Sequence, residues 1–225
     1  MVHTKKIAAG YGKKPKWIIS QHPGAHPREY SIPLMVVVRD ILGYADNARE
    51  AKKIINSGEA LVNGVVRRNA HYGVGLMDVI AIPKAKRYFR AMPSRKGLAL
   101  KEIDEGGSKL WLCRIKDKTI IRNGKAQLNL HDGSNILVDA KDAQKYKTND
   151  TLVFELPKKK INDCLEFKKG NNAMVVHGRR SGDTGKIEDI AGGTITRRSL
   201  TTLAGTQMPT DYVFVIGKQN PVISV

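Results

Sequence analysis

Acidic residues are scarce in this chain. Its 225 residues carry 39 Lys and Arg but only 21 Asp and Glu, a formal charge of +18. Such an imbalance points to a polyanion as partner, nucleic acid first and an anionic membrane second. Cysteine is sparser still. Cys113 and Cys164 stand far apart and no Cys-x-x-Cys occurs, which excludes a zinc ribbon and a dithiol redox motif. Both thiols are expected buried and reduced. The six histidines, at 3, 22, 26, 71, 131 and 177, lack metal-ligand spacing, so no metal and no other cofactor is expected. Long apolar runs are missing too. None approaches the roughly 18 residues of a spanning helix, and residues 1–16 hold no signal-peptide core. No membrane partner and no small-molecule substrate is expected. The 41% hydrophobic fraction nevertheless permits folded cores.

What is present is organised around residues 34–83, read as helix, helix and tight hairpin. Pro33 suits the first position of a helix. Leu34, Val37, Val38, Ile41, Leu42 and Ala45 then share one helical face, although Val36, Val37 and Val38 leave strand as a competitor. Asn47 with Glu50 has capping-box spacing for the second helix. Ala48, Ala51 and Ile55 form its apolar stripe, while Arg49, Lys52, Lys53 and Asn56 recur on the opposite face. Ser57-Gly58 stops it. Asn63-Gly64, between Leu61-Val62 and Val65-Val66, is the dipeptide of a type I′ turn, and it carries Arg67 and Arg68 just beyond. Arg39, Arg49, Lys52, Lys53, Arg67 and Arg68 are therefore candidates for one phosphate-binding surface; the alternative is an ordinary solvated face.

Residues 1–33 show no periodicity and read as an extended basic arm that orders on a partner. Lys5, Lys6, Lys13, Lys14, Lys16 and Arg28 are its candidate contacts. Trp17 either anchors on the body or stacks on a base. Residues 76–82 read as a strand ended by Pro83. Residues 84–90 interleave bases with aromatics, which suits RNA through Arg87 and Arg90 or else marks a linker whose rings pack inward. Residues 96–170 read as a β-rich unit, led in by a short helical or irregular stretch at 98–100. Its turn signals are Asn123-Gly124 and Asp132-Gly133, and Lys158, Lys159 and Lys160 read as a solubilising turn. Residues 171–225 are again β, about five short strands, one of them at 193–196. Arg179 and Arg180 lie in a glycine-rich loop and Arg197 and Arg198 at a strand end, each pair placed to meet phosphates. No Gly-Lys-Ser/Thr closes a P-loop there. The expected fold class is α+β and multidomain. It comprises a basic arm (1–33), a helix–hairpin RNA-binding domain (34–95), a central β-rich domain (96–170) and a small β-barrel (171–225).

No activated nucleophile, paired carboxylate or metal cluster emerges, so an enzyme is not expected. A pseudouridine synthase using such a docking module would need an Arg-Leu-Asp tripeptide, which is absent.

The helix–hairpin unit resembles an S4-type RNA-binding domain, on Val38-Arg39-Asp40-Ile41-Leu42, Glu50-Ala51-Lys52 and Leu61-Val62-Asn63-Gly64-Val65-Val66-Arg67. The C-terminal stretch resembles a KOW motif in an SH3-like barrel, on Val175-Val176-His177-Gly178 and Thr184-Gly185-Lys186-Ile187. With residues 75–80, 130–135 and 213–218, the whole is similar to the S4e family of small-ribosomal-subunit proteins, archaeal type. The resemblance implies a non-catalytic structural constituent of the cytoplasmic ribosome, bound to small-subunit ribosomal RNA beside neighbouring ribosomal proteins. The alternative is a transient RNA-binding assembly or elongation factor with a KOW domain.

Overall fold

Residues 34–38 are five consecutive apolar side chains, and all five are buried. A single amphipathic face cannot account for that; this segment runs through the middle of a core. In the computed structural model, which describes residues 1–3, 8, 16–121, 124–194 and 196–224, the chain divides into two compact units. One comprises Met1–Trp111 with Leu156–Lys159, the other Leu112–Glu155 with Lys160–Val225. Among the described residues no helix is long and apolar enough to cross a membrane.

The first unit begins with a two-stranded ribbon, β1 (Val2–His3) against β2 (Trp17–Ile18). Next come β3 (Ser31–Pro33), α1 (Leu34–Val36), α2 (Ala48–Asn56), β4 (Leu61–Val62), β5 (Val65–Val66) and β6 (Gly73–Gly75). β7 (Val79–Ile82), β8 (Arg87–Ser94), β9 (Gly97–Ile103) and the short α3 (Glu105–Ser108) complete it. β3 pairs with β6, and an antiparallel sheet of order β5-β4-β7-β8-β9 backs the helices.

Helix wins over strand at residues 34–41, but not as a uniform α-helix. α1 passes into a π-helical turn at Val37–Ile41, where Leu42 N–H reaches back to the Val37 carbonyl. Gly43, at φ 65°, ends the helix before the expected Ala45. Pro33 belongs to β3 and precedes the first helical residue rather than occupying it.

In α2 the Asn47 side-chain oxygen accepts both the Arg49 and Glu50 amides at 3.0 Å. Glu50 reaches back to the Asp46 amide. The buried stripe is Ala51 and Ile55, while Ala48 is exposed because the first turn projects past the core. The hairpin turn is as read, with Asn63 at φ 51° and Gly64 at φ 73°. Gly64 is required twice over, since a Cβ there would also lie 3.0 Å from the Pro157 Cα.

Three readings of this unit are corrected. Residues 76–82 are not one strand. Met77 takes φ 64° in a turn that follows β6, and only Val79–Ile82 form the strand β7. Residues 87–103 are neither linker nor helical lead-in but the β8–β9 hairpin, paired from Tyr88↔Ile103 to Ser94↔Gly97, so a boundary at 95 falls inside its turn. Residues 16–33 are not an extended arm. Ile18, Gln21, His26, Ser31 and Ile32 are all buried, and Gln21 and His26 stand where the Cβ atoms of Gly73 and Gly75 would be. Their polar atoms are paired, Gln21 with the His26 carbonyl and Ser31, and His26 with Asp78. A segment without its own core is here part of a neighbour's core. In the RNA-free protein the amides of His22 and of β3 are thus expected to exchange with deuterium as slowly as those of β6; exchange at the rate of an open chain would restore the arm.

The second unit carries two antiparallel five-stranded sheets. The first is built from β10 (Leu110–Ile121), β11 (Lys125–Leu130), β12 (Asn135–Asp139), β13 (Thr151–Glu155) and β14 (Lys160–Leu165), with α4 (Ala140–Ala143) after β12. Its order is β12-β11-β10-β13-β14. The second is built from β15 (Asn172–Val175), β16 (Thr184–Ala191), β17 (Leu200–Leu203), β18 (Thr206–Pro209) and β19 (Val213–Gly217), in the order β18-β17-β16-β15-β19. β14, β17 and β18 were not expected as strands, and the strand expected at 193–196 is not formed by its described residues.

Candidate nucleic-acid interface

α2 presents Arg49, Lys52, Lys53 and Asn56 to solvent, all exposed, on the side away from Ala51 and Ile55. Arg68 is exposed too. Its guanidinium lies over Gly58, 3.5 Å from where a Cβ would be, and so sits beside the carboxyl end of α2. A cation is favoured there by the helix dipole. The hairpin therefore brings Arg68 to the helix, as the sequence suggested.

The other two members of the group behave differently. Arg67 is partly buried, with its guanidinium 4.4 Å above the Tyr72 ring. Arg39 forms a bidentate pair with Asp40 at 2.6 and 2.9 Å, which offsets its charge locally.

Elsewhere in the first unit, Lys16 and Arg28 are exposed. Lys5, Lys6, Lys13 and Lys14 lie outside the described residues. Arg87 is half-exposed and held by Glu102 through two 2.7 Å bonds, which raise its pKa further above the usual arginine range.

Arg90 is a correction. It is only 1% exposed and donates to the carbonyls of Gly107 and Leu110 at 2.8 and 2.6 Å. Burial lowers its pKa to about 10, so it remains a cation at neutral pH, but one committed to the core. Of the two readings of residues 84–90, the inward-packing one holds for Phe89 and Arg90.

In the second unit, Arg179 and Arg180 are exposed in the loop between β15 and β16, with Arg180 donating to the Thr206 hydroxyl. Arg197 and Arg198 are exposed ahead of β17 rather than at a strand end. His177 packs edge-on against Tyr212. Burial, then the Arg114 charge, pushes its pKa below the ordinary histidine value, so it adds no positive charge to this loop at neutral pH.

Sequence reasoning passed over Arg95 and Lys96, exposed at the turn of the β8–β9 hairpin. The signal was present in Ser94-Arg95-Lys96-Gly97, a two-residue turn bounded by small residues. It also passed over Arg114, whose guanidinium is spent on the carbonyls of Asp211 and Val213.

Cys164 is partly buried, and that burial together with the carboxylates of Asp150, Asp163 and Glu166 pushes its thiol up to about 12. Among the described residues one possible metal-ligand group occurs, Cys113, His131 and Asp132, with donor atoms within 4.8 Å of one another. Sequence spacing did not reveal it. Two of its members already serve the fold. His131 Nδ1 accepts the Arg114 amide, and Asp132 accepts the Ser134 amide and hydroxyl.

The helices and tight hairpin that carry these cations form a module of the S4 class. The S4 domain profile matches residues 32–80 and that of ribosomal family S4e matches residues 85–161. The small ribosomal subunit protein eS4 of Methanothermobacter thermautotrophicus is 45% identical, over 95% of this chain and 89% of its own length. That of Methanocaldococcus jannaschii is 42% identical, over 99% and 97%. The crystal structure of the 30S ribosomal protein S4e from Thermoplasma acidophilum superimposes with a TM-score of 0.74 at 28% identity, covering 84% of this chain and 96% of that one. The chain belongs to the ribosomal family S4e, a family of structural proteins of the ribosome and not of enzymes.

Proposed function

We propose that this protein is a structural constituent of the small ribosomal subunit in the cytoplasm, binding ribosomal RNA beside neighbouring proteins of that subunit. The observation that carries this reading is the near end-to-end match to relatives named as small-subunit proteins, at 42–45% identity. The S4 module is proposed to meet phosphates through Arg49, Lys52, Lys53 and Arg68. The second sheet of the second unit is proposed as the KOW-type, SH3-like part, meeting RNA through Arg179, Arg180, Arg197 and Arg198. Sedimentation tests it. The protein is expected to stay with the small subunit through a high-salt wash, whereas release into the supernatant would favour a transient factor.

The α2 face has a sharper test. Lys52→Ala/Lys53→Ala removes two exposed charges and should leave the melting temperature nearly unchanged. Affinity for small-subunit RNA should fall, and the slope of log K against log salt should become shallower by about 1 for each lost contact. An unchanged slope in a folded variant would make this an ordinary solvated face.

A further inference from the structure

The chain has two tryptophans with opposite fates. Trp111 is 2% exposed, with the Lys159 ammonium 5.1 Å from its ring. Trp17 is 54% exposed. A large aromatic ring left in water contributes little to the fold, and tryptophan is otherwise among the side chains most buried on average.

The exposure of Trp17 follows from the strand it occupies. In β2 successive side chains point to opposite faces. Ile18 turns inward at 2% exposure and Trp17 outward. Pairing of His3 with Trp17 fixes the backbone. The His3 ring meets the indole edge-on, with centroids 5.6 Å apart and planes at 75°. Such a contact orients the indole without stacking flat upon it. The Lys16 ammonium stands 6.0 Å from the ring centroid. In sequence the ring follows Lys13, Lys14 and Lys16, and Glu29 is the only acid in residues 1–33.

We propose that Trp17 is a stacking platform for an unpaired RNA base, with Lys16 beside it to meet the adjoining phosphate. The proposal rests on the RNA-binding reading above and gives it a single-strand contact. Indole, fixed orientation and adjacent cation are what single-stranded RNA uses: every base has a π-face, and its phosphate follows within a side chain's reach. A protein neighbour seeking a hot spot would find apolar companions around the ring. Among the described residues, a lysine and a histidine stand beside it.

The test uses the full chain with two probes at low salt, a short single-stranded oligoadenylate and an RNA duplex of equal length. Trp17 is exposed and Trp111 buried, so quenching by a stacked base should fall on the red edge of the tryptophan emission. Trp17→Ala should abolish that quenching and weaken oligoadenylate binding about tenfold, while leaving duplex binding and the melting temperature unchanged. Trp17→Phe should recover part of the single-strand affinity. Equal affinity and persistent quenching in Trp17→Ala would overturn the platform while leaving RNA binding intact. Failure of the unaltered protein to bind either RNA would overturn the RNA-binding reading and the platform with it.

Discussion

Asp78→Ala is expected to cost the first unit about 3–5 kcal/mol, the range for breaking a buried ion pair by removing one partner. Asp78 is 1% exposed. Its Oδ2 accepts from His26 Nε2 at 3.0 Å and from the Gly75 amide at 2.8 Å, and its Oδ1 accepts from Asn63 Nδ2 at 2.7 Å. Asn63 in turn accepts the Val79 amide at 2.8 Å. One carboxylate thus ties together the hairpin turn, the end of β6, the start of β7 and the N-terminal segment. Without it, three buried donors lose their acceptor. Burial alone would raise the carboxyl pKa, but the His26 charge, the His26 hydrogen bond, the Gly75 amide and Asn63 together hold it below the ordinary aspartate value. A carboxyl that titrates lower in the folded chain stabilises fully above the unfolded value of about 3.9 and loses that contribution as the pH falls toward the native one. The gap between wild type and Asp78→Asn in urea unfolding should therefore narrow as the pH falls below about 4. A loss under about 1 kcal/mol for Asp78→Ala would show that water replaces these partners at little cost.

Gly75→Ala is expected to destabilise by about 3 kcal/mol or more, an effect reserved for clashes in a rigid core. The added methyl would lie 2.2 Å from His26 Cγ and 2.3 Å from its Nδ1. The ring cannot withdraw, because it is buried and its Nε2 is bound to Asp78. The two residues should be strongly coupled. On a His26→Ala background the same Gly75→Ala change should cost far less, since the clashing atoms are gone. Additive losses in the double variant would place the strain elsewhere.

These two positions also show why parts of the fold were legible and others not. The Asn63-Gly64 turn and the face of α2 are local; their signals lie within one turn or one helical repeat, so dihedral preference and periodicity expose them. Gly73 and Gly75 are small because of Gln21 and His26, some fifty positions earlier, and no local pattern carries that information. The N-terminal segment was misread for the same reason. It lacks periodicity because it follows the surface of another element instead of forming a face of its own. Arg90 resembled an RNA ligand because the carbonyls that bind it belong to Gly107 and Leu110, beyond a strand not yet recognised. β9 escaped because Lys101 and Glu102 interrupt its alternation, with Glu102 turned to Arg87 instead. The exposed cations of α2 were legible as a surface. That Arg39 is matched by Asp40 was not, because adjacency in sequence does not say whether two side chains turn toward each other.

The first unit is closed by residues 156–159. Leu156 donates to the Lys109 carbonyl, Pro157 covers the Gly64 turn and Lys159 lies over Trp111. A chain is synthesised from its amino end, and domains commonly fold as they emerge. This unit cannot finish when Trp111 appears; it must wait, with its hairpin turn and indole uncovered, until the segment around Pro157 has been made. Nor is it a portable cassette. A fragment cut after residue 111 would carry every S4-class motif and still lack the cover for two of its surfaces, so it should be more prone to aggregate than the intact protein.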